Sequence, residues 1–166
     1  MQENTSLFLP YPKLSGEITN SELNNLYDLY AGRFSELTSI TTYIYQAVIT
    51  QGRDISETLH RISITEMKHL ELLANAIIFF GGDPVFAGKY NYFSCSYTNY
   101  CKDIREFLIT DIQWEISAQK EYKNFALKTQ NASLAELLTR LSMDEELHVC
   151  TLTRAYVSIF NEEPNF

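Results

Sequence analysis

Two carboxylate and imidazole pairs stand out: Glu66-Met67-Lys68-His69, and Glu145-Glu146-Leu147-His148 shifted from it by 79 residues. Side chains three apart on a helix share a face, so each pair can direct a carboxylate oxygen and an imidazole nitrogen at one metal ion. Either pair alone is weak evidence, because Glu and His at this spacing are usually solvated neighbours. The same 79-residue shift also pairs Glu36 with Glu115, Tyr43 with Tyr122, Ala47 with Ala126 and Arg61 with Arg140. From residue 26 to 77 there are 14 identities in 52 aligned positions. The two halves therefore read as copies of one helical hairpin.

The elements that must position these residues are helices. Residues 1–18 carry Pro10 and Pro12 around Tyr11 without sustained periodicity, and read as an extended arm on which function is not expected. Thr19-x-x-Glu22 is a capping-box pattern, and a helical pattern runs from it to about Gln51, where Gly52 breaks it. A second helix, capped by Asp54 or Ser56, continues through Phe80 and stops at Gly81-Gly82-Asp83-Pro84, glycine past the end and proline soon after. Residues 81 to about 101 lack a clear period and are long enough to run the length of a bundle. A third helix covers roughly Lys102 to Gln130, and a turn at Asn131-Ala132-Ser133 leads to a fourth, roughly Leu134 to Phe160. The organisation expected is an arm at 1–18, a bundle at 19–160 and a short tail at 161–166.

Residues equidistant from the turn of an antiparallel hairpin lie at one height. The midpoint of 36 and 66 is 51, and that of 115 and 145 is 130, on the two turns read independently. Facing agrees with height: Leu59, Ile62, Glu66, His69, Leu73, Ala76 and Phe80 alternate by three and four, as do Leu138, Leu141, Glu145, His148, Leu152, Ala155 and Ile159. Glu36, Ile40, Tyr43 and Ala47 share a seam of the first helix; Leu108, Ile112, Glu115, Tyr122 and Ala126 share one of the third. Four carboxylates and two imidazoles thus converge inside an apolar bundle. Unneutralised, they would be prohibitively expensive to bury. Two divalent metal ions cancel the four charges, changing the chain's formal charge of −8 to −4.

Composition agrees with a single soluble domain: 166 residues, 45% hydrophobic and 20% charged. An excess of 21 acidic over 13 basic residues argues against a nucleic-acid surface. Met1-Gln2-Glu3-Asn4-Thr5 has no positive n-region, and no apolar run reaches the roughly 18 residues of a membrane span, so a cytoplasmic protein is expected. Cys95, Cys101 and Cys150 are odd in number and never spaced C-x-x-C. They suggest neither a disulfide framework nor a zinc ribbon, and are expected to be buried or half-buried thiols. The Tyr-rich stretch from Tyr90 to Tyr100 is expected to cover the core.

One Glu from each of two helices, plus Glu-x-x-His from each of the other two, is the ligand pattern of di-iron and di-manganese four-helix bundles. From Leu26 to Phe160 the chain resembles the ferritin-like superfamily, and within it rubrerythrins, bacterioferritins and manganese catalases. The resemblance rests on Glu36 with Tyr43, Glu66-x-x-His69, Glu115 with Tyr122, and Asp144-Glu145-x-x-His148. It implies an all-α, ferritin-like four-helix bundle of two antiparallel hairpins joined by a long crossover. It further implies that Glu66 and Glu145 bridge two iron or two manganese ions or lie between them, that Glu36 and Glu115 are terminal ligands, and that His69 and His148 bind one ion each. Tyr43 and Tyr122 would hydrogen-bond ligand carboxylates or simply fill the seam, and Asp144, matched by Thr65 in the first half, would orient a ligand histidine. Ala118 stands where rubrerythrins have a further glutamate, and no rubredoxin cysteines are present. Met67 falls where bacterioferritins place a haem-ligating methionine, although a packing role between subunits is the more ordinary reading.

The expected function is an oxidoreductase that reduces peroxide or oxygen at two metals, rubrerythrin-like or catalase-like, in oxidative-stress defence. A peroxidase of this kind would draw on a separate electron-donor protein. The alternatives are ferroxidase and iron storage in a multi-subunit cage, or a structural protein whose metals rigidify the core. A homodimer is expected, with no nucleic-acid or membrane partner.

Overall fold

Residues 4–166 are described by a computed structural model; Met1, Gln2 and Glu3, the start of the expected arm, lie outside the described residues. The helices are α1 Asn20–Ala31, α2 Glu36–Ile49, α3 Asp54–Phe79, α4 Ile104–Lys128 and α5 Ala132–Phe160. Antiparallel α2 and α3 form one hairpin and α4 and α5 the other, with α1 packed on α3 and α2. The architecture is the expected ferritin-like four-helix bundle. Its turns lie between Ile49 and Asp54 and between Lys128 and Ala132, where the midpoint arithmetic puts them.

The first helix differs from expectation. The pattern read as continuous from Thr19 to Gln51 is broken between Ala31 and Glu36. Thr19 and Glu22 do form a capping box, but α1 ends at Gly32, whose N–H donates to the Asp28 carbonyl at 3.0 Å. A Cβ at residue 32 would come 2.5 Å from that oxygen, so the approach requires glycine. Ser35 starts α2 afresh, accepting from the Thr38 N–H at 3.3 Å and donating to the Gly32 carbonyl at 2.8 Å. Glu36 is consequently the first residue of α2, where the helix dipole favours a carboxylate.

Gly81, at φ 87°, ends the second expected helix. The crossover that follows carries a single 3-10 turn, Cys95–Tyr97, and lies along α1 and α2. Tyr27 and Tyr30 donate to the carbonyls of Asp83 and Pro84, and the Asn99 N–H donates to Thr42 Oγ1. Tyr90, Tyr92 and Tyr100 are exposed. Covering the core is therefore not their role: strapping by backbone and hydroxyl bonds leaves their rings in solvent. Cys95 and Cys150 are also exposed, and only Cys101 is half-buried.

Core burial follows the predicted seams, with Phe80, Ala126 and Ala155 only half-buried, and departs from them at the distal end of α5, where Ile159 is exposed and Tyr156 is buried instead. Tyr156 packs against Phe160 with the rings tilted and their centroids 4.8 Å apart, and receives a hydrogen bond from Arg105 at 2.9 Å, so the phenol rather than the isoleucine faces inward. The apolar core falls into two clusters, one including Leu26, Leu73 and Leu138 and the other including Leu59, Leu108 and Leu152. The polar residues on α3 and α5 come, in sequence, between the layers these two clusters bury. No helix among the described residues is long and apolar enough to cross a membrane.

Candidate metal centre

All six predicted ligands are brought together and buried. Glu36, Glu66, His69 and Glu145 each offer a ligand atom within 4.8 Å of one another, and so do Glu66, Glu115, Glu145 and His148. Glu66 and Glu145 belong to both sets, so two ions would share them. The arrangement is twofold in character. His69 Nδ1 lies 3.1 Å from Glu66 Oε2, 3.1 Å from Glu145 Oε1 and 3.6 Å from Glu36 Oε2. His148 Nδ1 lies 3.2 Å from Glu66 Oε1, 3.2 Å from Glu145 Oε2 and 3.6 Å from Glu115 Oε2.

The far nitrogen of each ring decides what that geometry means. His69 Nε2 faces Asp144 Oδ2 at 3.2 Å, and His148 Nε2 faces the Thr5 carbonyl at 2.9 Å. A carbonyl can only accept, so His148 donates from Nε2, and a neutral ring then turns the Nδ1 lone pair toward three carboxylate oxygens. Lone pair against carboxylate is repulsive unless a cation lies between them. Glu145 Oε1, although near His69 Nδ1, has no hydrogen-bond partner. The donor set of nitrogen and carboxylate oxygen suits iron or manganese, and the residues fit a pair of such ions.

Without metal, protons must do the neutralising. Burial, reinforced by Glu145 and Glu36, pushes the Glu66 carboxyl well above its ordinary range. Burial and Glu145 raise Glu115 to about 7. Burial disfavours charge on both rings, but Glu36 and its neighbours outweigh it at His69, and Glu66 and its neighbours at His148, so both are raised well above the usual histidine value. At Glu145 burial and Glu36 act upward, yet the hydrogen bond with His148 and the charge of the adjacent His69 hold it down to about 2. Burial likewise acts upward on Glu36, and is overcome by the charge and hydrogen bond of His69. Protons thus gather where cations would stand.

Around these six residues is a layer that holds them. Tyr43 donates to Glu115, and Tyr122 to Glu36, so the hydrogen-bonding role is the one these tyrosines adopt, each across to the opposite hairpin. Asp144 is fully buried, at 2.7 Å from Arg140 Nη1, and accepts from the Leu7 N–H at 2.8 Å and the Tyr11 hydroxyl at 2.9 Å. Burial raises the Asp144 carboxyl, but bonds from His69, Leu7 and Arg140 outweigh it and hold it well below its usual range.

The arm, where no function was expected, meets His148 directly through the Thr5 carbonyl and His69 by way of Asp144. Arg140 Nη2 donates to the Leu7 carbonyl at 2.7 Å, and the Thr5 and Thr65 hydroxyls are 2.7 Å apart. In the second half Asp144 serves a histidine directly. In the first half, where Thr65 replaces it, the chain's own arm supplies the acceptor for the other histidine. Arg140 and the arm were missed by sequence reasoning; the mismatch of Thr65 with Asp144 inside an otherwise matching repeat was the available signal. Met67 is half-exposed on α3 and outside both ligand sets.

A cavity of about 300 Å³ reaches this centre from the α1–α2 break, and Glu36, Glu66 and Glu145 line it. No protein-family model matches the chain, and no curated protein sequence does. Solved structures do resemble it. One of KatB, a manganese catalase from Anabaena PCC7120, superposes with a TM-score of 0.83 at 21% identity, covering 96% of this chain and 83% of that one. Another, of wild-type KatB from Anabaena, gives 0.81 at 22% identity with the same coverage. At that level of identity the likeness is one of fold, and the chain has the ferritin-like helical fold of these manganese catalases over nearly its whole length.

Proposed function

We propose that this chain binds two metal ions, manganese rather than iron, through Glu36, Glu66, His69, Glu115, Glu145 and His148, and disproportionates hydrogen peroxide to water and dioxygen. The observation that carries the reading is the twofold site itself: two imidazoles whose Nδ1 atoms each face three buried carboxylate oxygens. That the solved neighbours are manganese catalases favours peroxide chemistry and manganese over an iron-storage cage. When bound, the ion pair would supply the two electrons that one peroxide takes up and the next returns.

The protein's own part is positional and electrostatic. Glu66 and Glu145 are shared by both ligand sets and would fix the separation of the ions. Tyr43 and Tyr122 hold Glu115 and Glu36 against rotation. Asp144 and the Thr5 carbonyl hold the imidazoles with Nδ1 inward. The two apolar clusters limit water access. Because peroxide is both oxidant and reductant here, the reaction needs no separate electron-donor protein.

Dioxygen evolution by manganese-loaded and iron-loaded protein tests the reading, with Glu66→Ala as control. Manganese-dependent release of one dioxygen per two peroxides, absent in the control, is expected. No metal-dependent peroxide consumption in either form overturns it.

A further inference from the structure

We propose that the cavity above Glu36 and Glu145 also binds the organic group of a neutral hydroperoxide, which extends the substrate class beyond hydrogen peroxide and rests on the peroxide reading above. Hydrogen peroxide has roughly the volume of two waters, about 60 Å³, while the cavity offers about 300 Å³, the low end of the range for organic ligands. Leu29, Phe34, Trp114 and Ala118 supply its apolar wall. Phe34, from the segment between α1 and α2, meets Trp114 of α4 edge to face at 5.9 Å. This pairing of aromatic rings suits a planar or branched hydrocarbon.

Two features of the sequence open this space. Gly32 and Ser35 interrupt the first helix and place Phe34 in the break rather than on a helical face. Ala118, one turn after Glu115, lines the cavity, and any longer side chain there would occupy it. Charge selects the ligand further: with Glu36, Glu66 and Glu145 engaged by the ions, Glu121 is the one further carboxylate on the lining, and among the described residues no Lys, Arg or His lines it, so no wall side chain pairs with an anionic organic group. The balanced reaction is ROOH + H2O2 → ROH + H2O + O2. The O–O bond of the organic hydroperoxide breaks, and its two electrons and two protons come from hydrogen peroxide, which is oxidised to dioxygen.

Trp114 is the one tryptophan in the chain and reports occupancy directly. The probe is 2-phenyl-2-propanol, the alcohol product of cumene hydroperoxide, titrated into metal-free and manganese-loaded protein while tryptophan emission is followed. A saturable shift is expected, lost in Ala118→Phe, and absent with benzoate. Ser117→Phe, on the same lining, replaces Ala118→Phe should that variant lose helix content. With both peroxides present, dioxygen released per hydrogen peroxide should rise from one per two toward one per one. No saturable shift, a shift that survives the filled cavity, or an equal shift with benzoate overturns the proposal. Hydrogen peroxide turnover without alcohol binding overturns it alone. Alcohol binding without any peroxide consumption overturns the proposed function and leaves an organic-ligand site.

Discussion

Tyr43 on α2 donates its phenolic hydrogen to Glu115 on α4, and the equivalent Tyr122 on α4 donates to Glu36 on α2. The two hairpins are thus tied at the centre by the groups that orient their carboxylates. Each phenol is buried, and burial followed by the charge of its glutamate raises its pKa well above the ordinary value, so it stays a donor.

Tyr43→Phe should leave Glu115 without that donor while preserving ring volume. Losing a bond that orients a ligand lowers metal affinity by about 10–100-fold. Tyr122→Phe should do the same through Glu36. Competition with a fluorescent chelator measures the change, and unchanged affinity in both variants would mean that the rings act as packing alone.

Removing the arm through Leu7 should weaken one half of the centre more than the other. His148 loses its acceptor at Thr5, whereas His69 keeps Asp144, itself still paired with Arg140 at 2.7 Å. Metal content per chain, measured by elemental analysis after dialysis, should fall from two toward one. Retention of both ions would show that the Thr5 carbonyl is dispensable.

The metal-free protein should lose thermal stability as pH rises through neutrality. Glu115 titrates near 4.5 when unfolded and about 7 when folded; a raised folded value means stabilisation complete below 4.5 and lost as pH climbs past 7. His69 and His148, also raised, act in the same direction. Glu145 is opposite: held at about 2, it stabilises above 4.5 and loses that contribution as pH falls toward 2. The melting temperature of chelator-treated protein should therefore peak in the weakly acidic range. Bound divalent ions displace these protons and stabilise the folded state, so the alkaline decline should vanish on metal loading. A metal-free melting temperature that is flat or rising from pH 6 to 9 would contradict the proton-filled centre.

What the sequence settled by itself was the bundle and the six clustered residues. Helical periodicity and hairpin symmetry are local and arithmetic: Glu36 and Glu66 are equidistant from residue 51, as Glu115 and Glu145 are from 130, and a regular rise per residue converts those counts into heights. The repeat then supplied two independent readings of one site. The break at Gly32–Ser35 was also written locally, as a glycine followed by a serine cap, but the strong apolar periodicity on either side obscured it.

Only the tertiary structure decided the rest. That Tyr43 serves Glu115 rather than Glu36 depends on which hairpin face it meets. That Thr5 completes His148 depends on a segment without period, held by hydrogen bonds from residues more than a hundred positions away, such as Arg140 to Leu7. Backbone carbonyls carry no residue-type signature, so such a partner leaves no mark in the sequence except an absence, here the Thr65 that stands where the other half has Asp144.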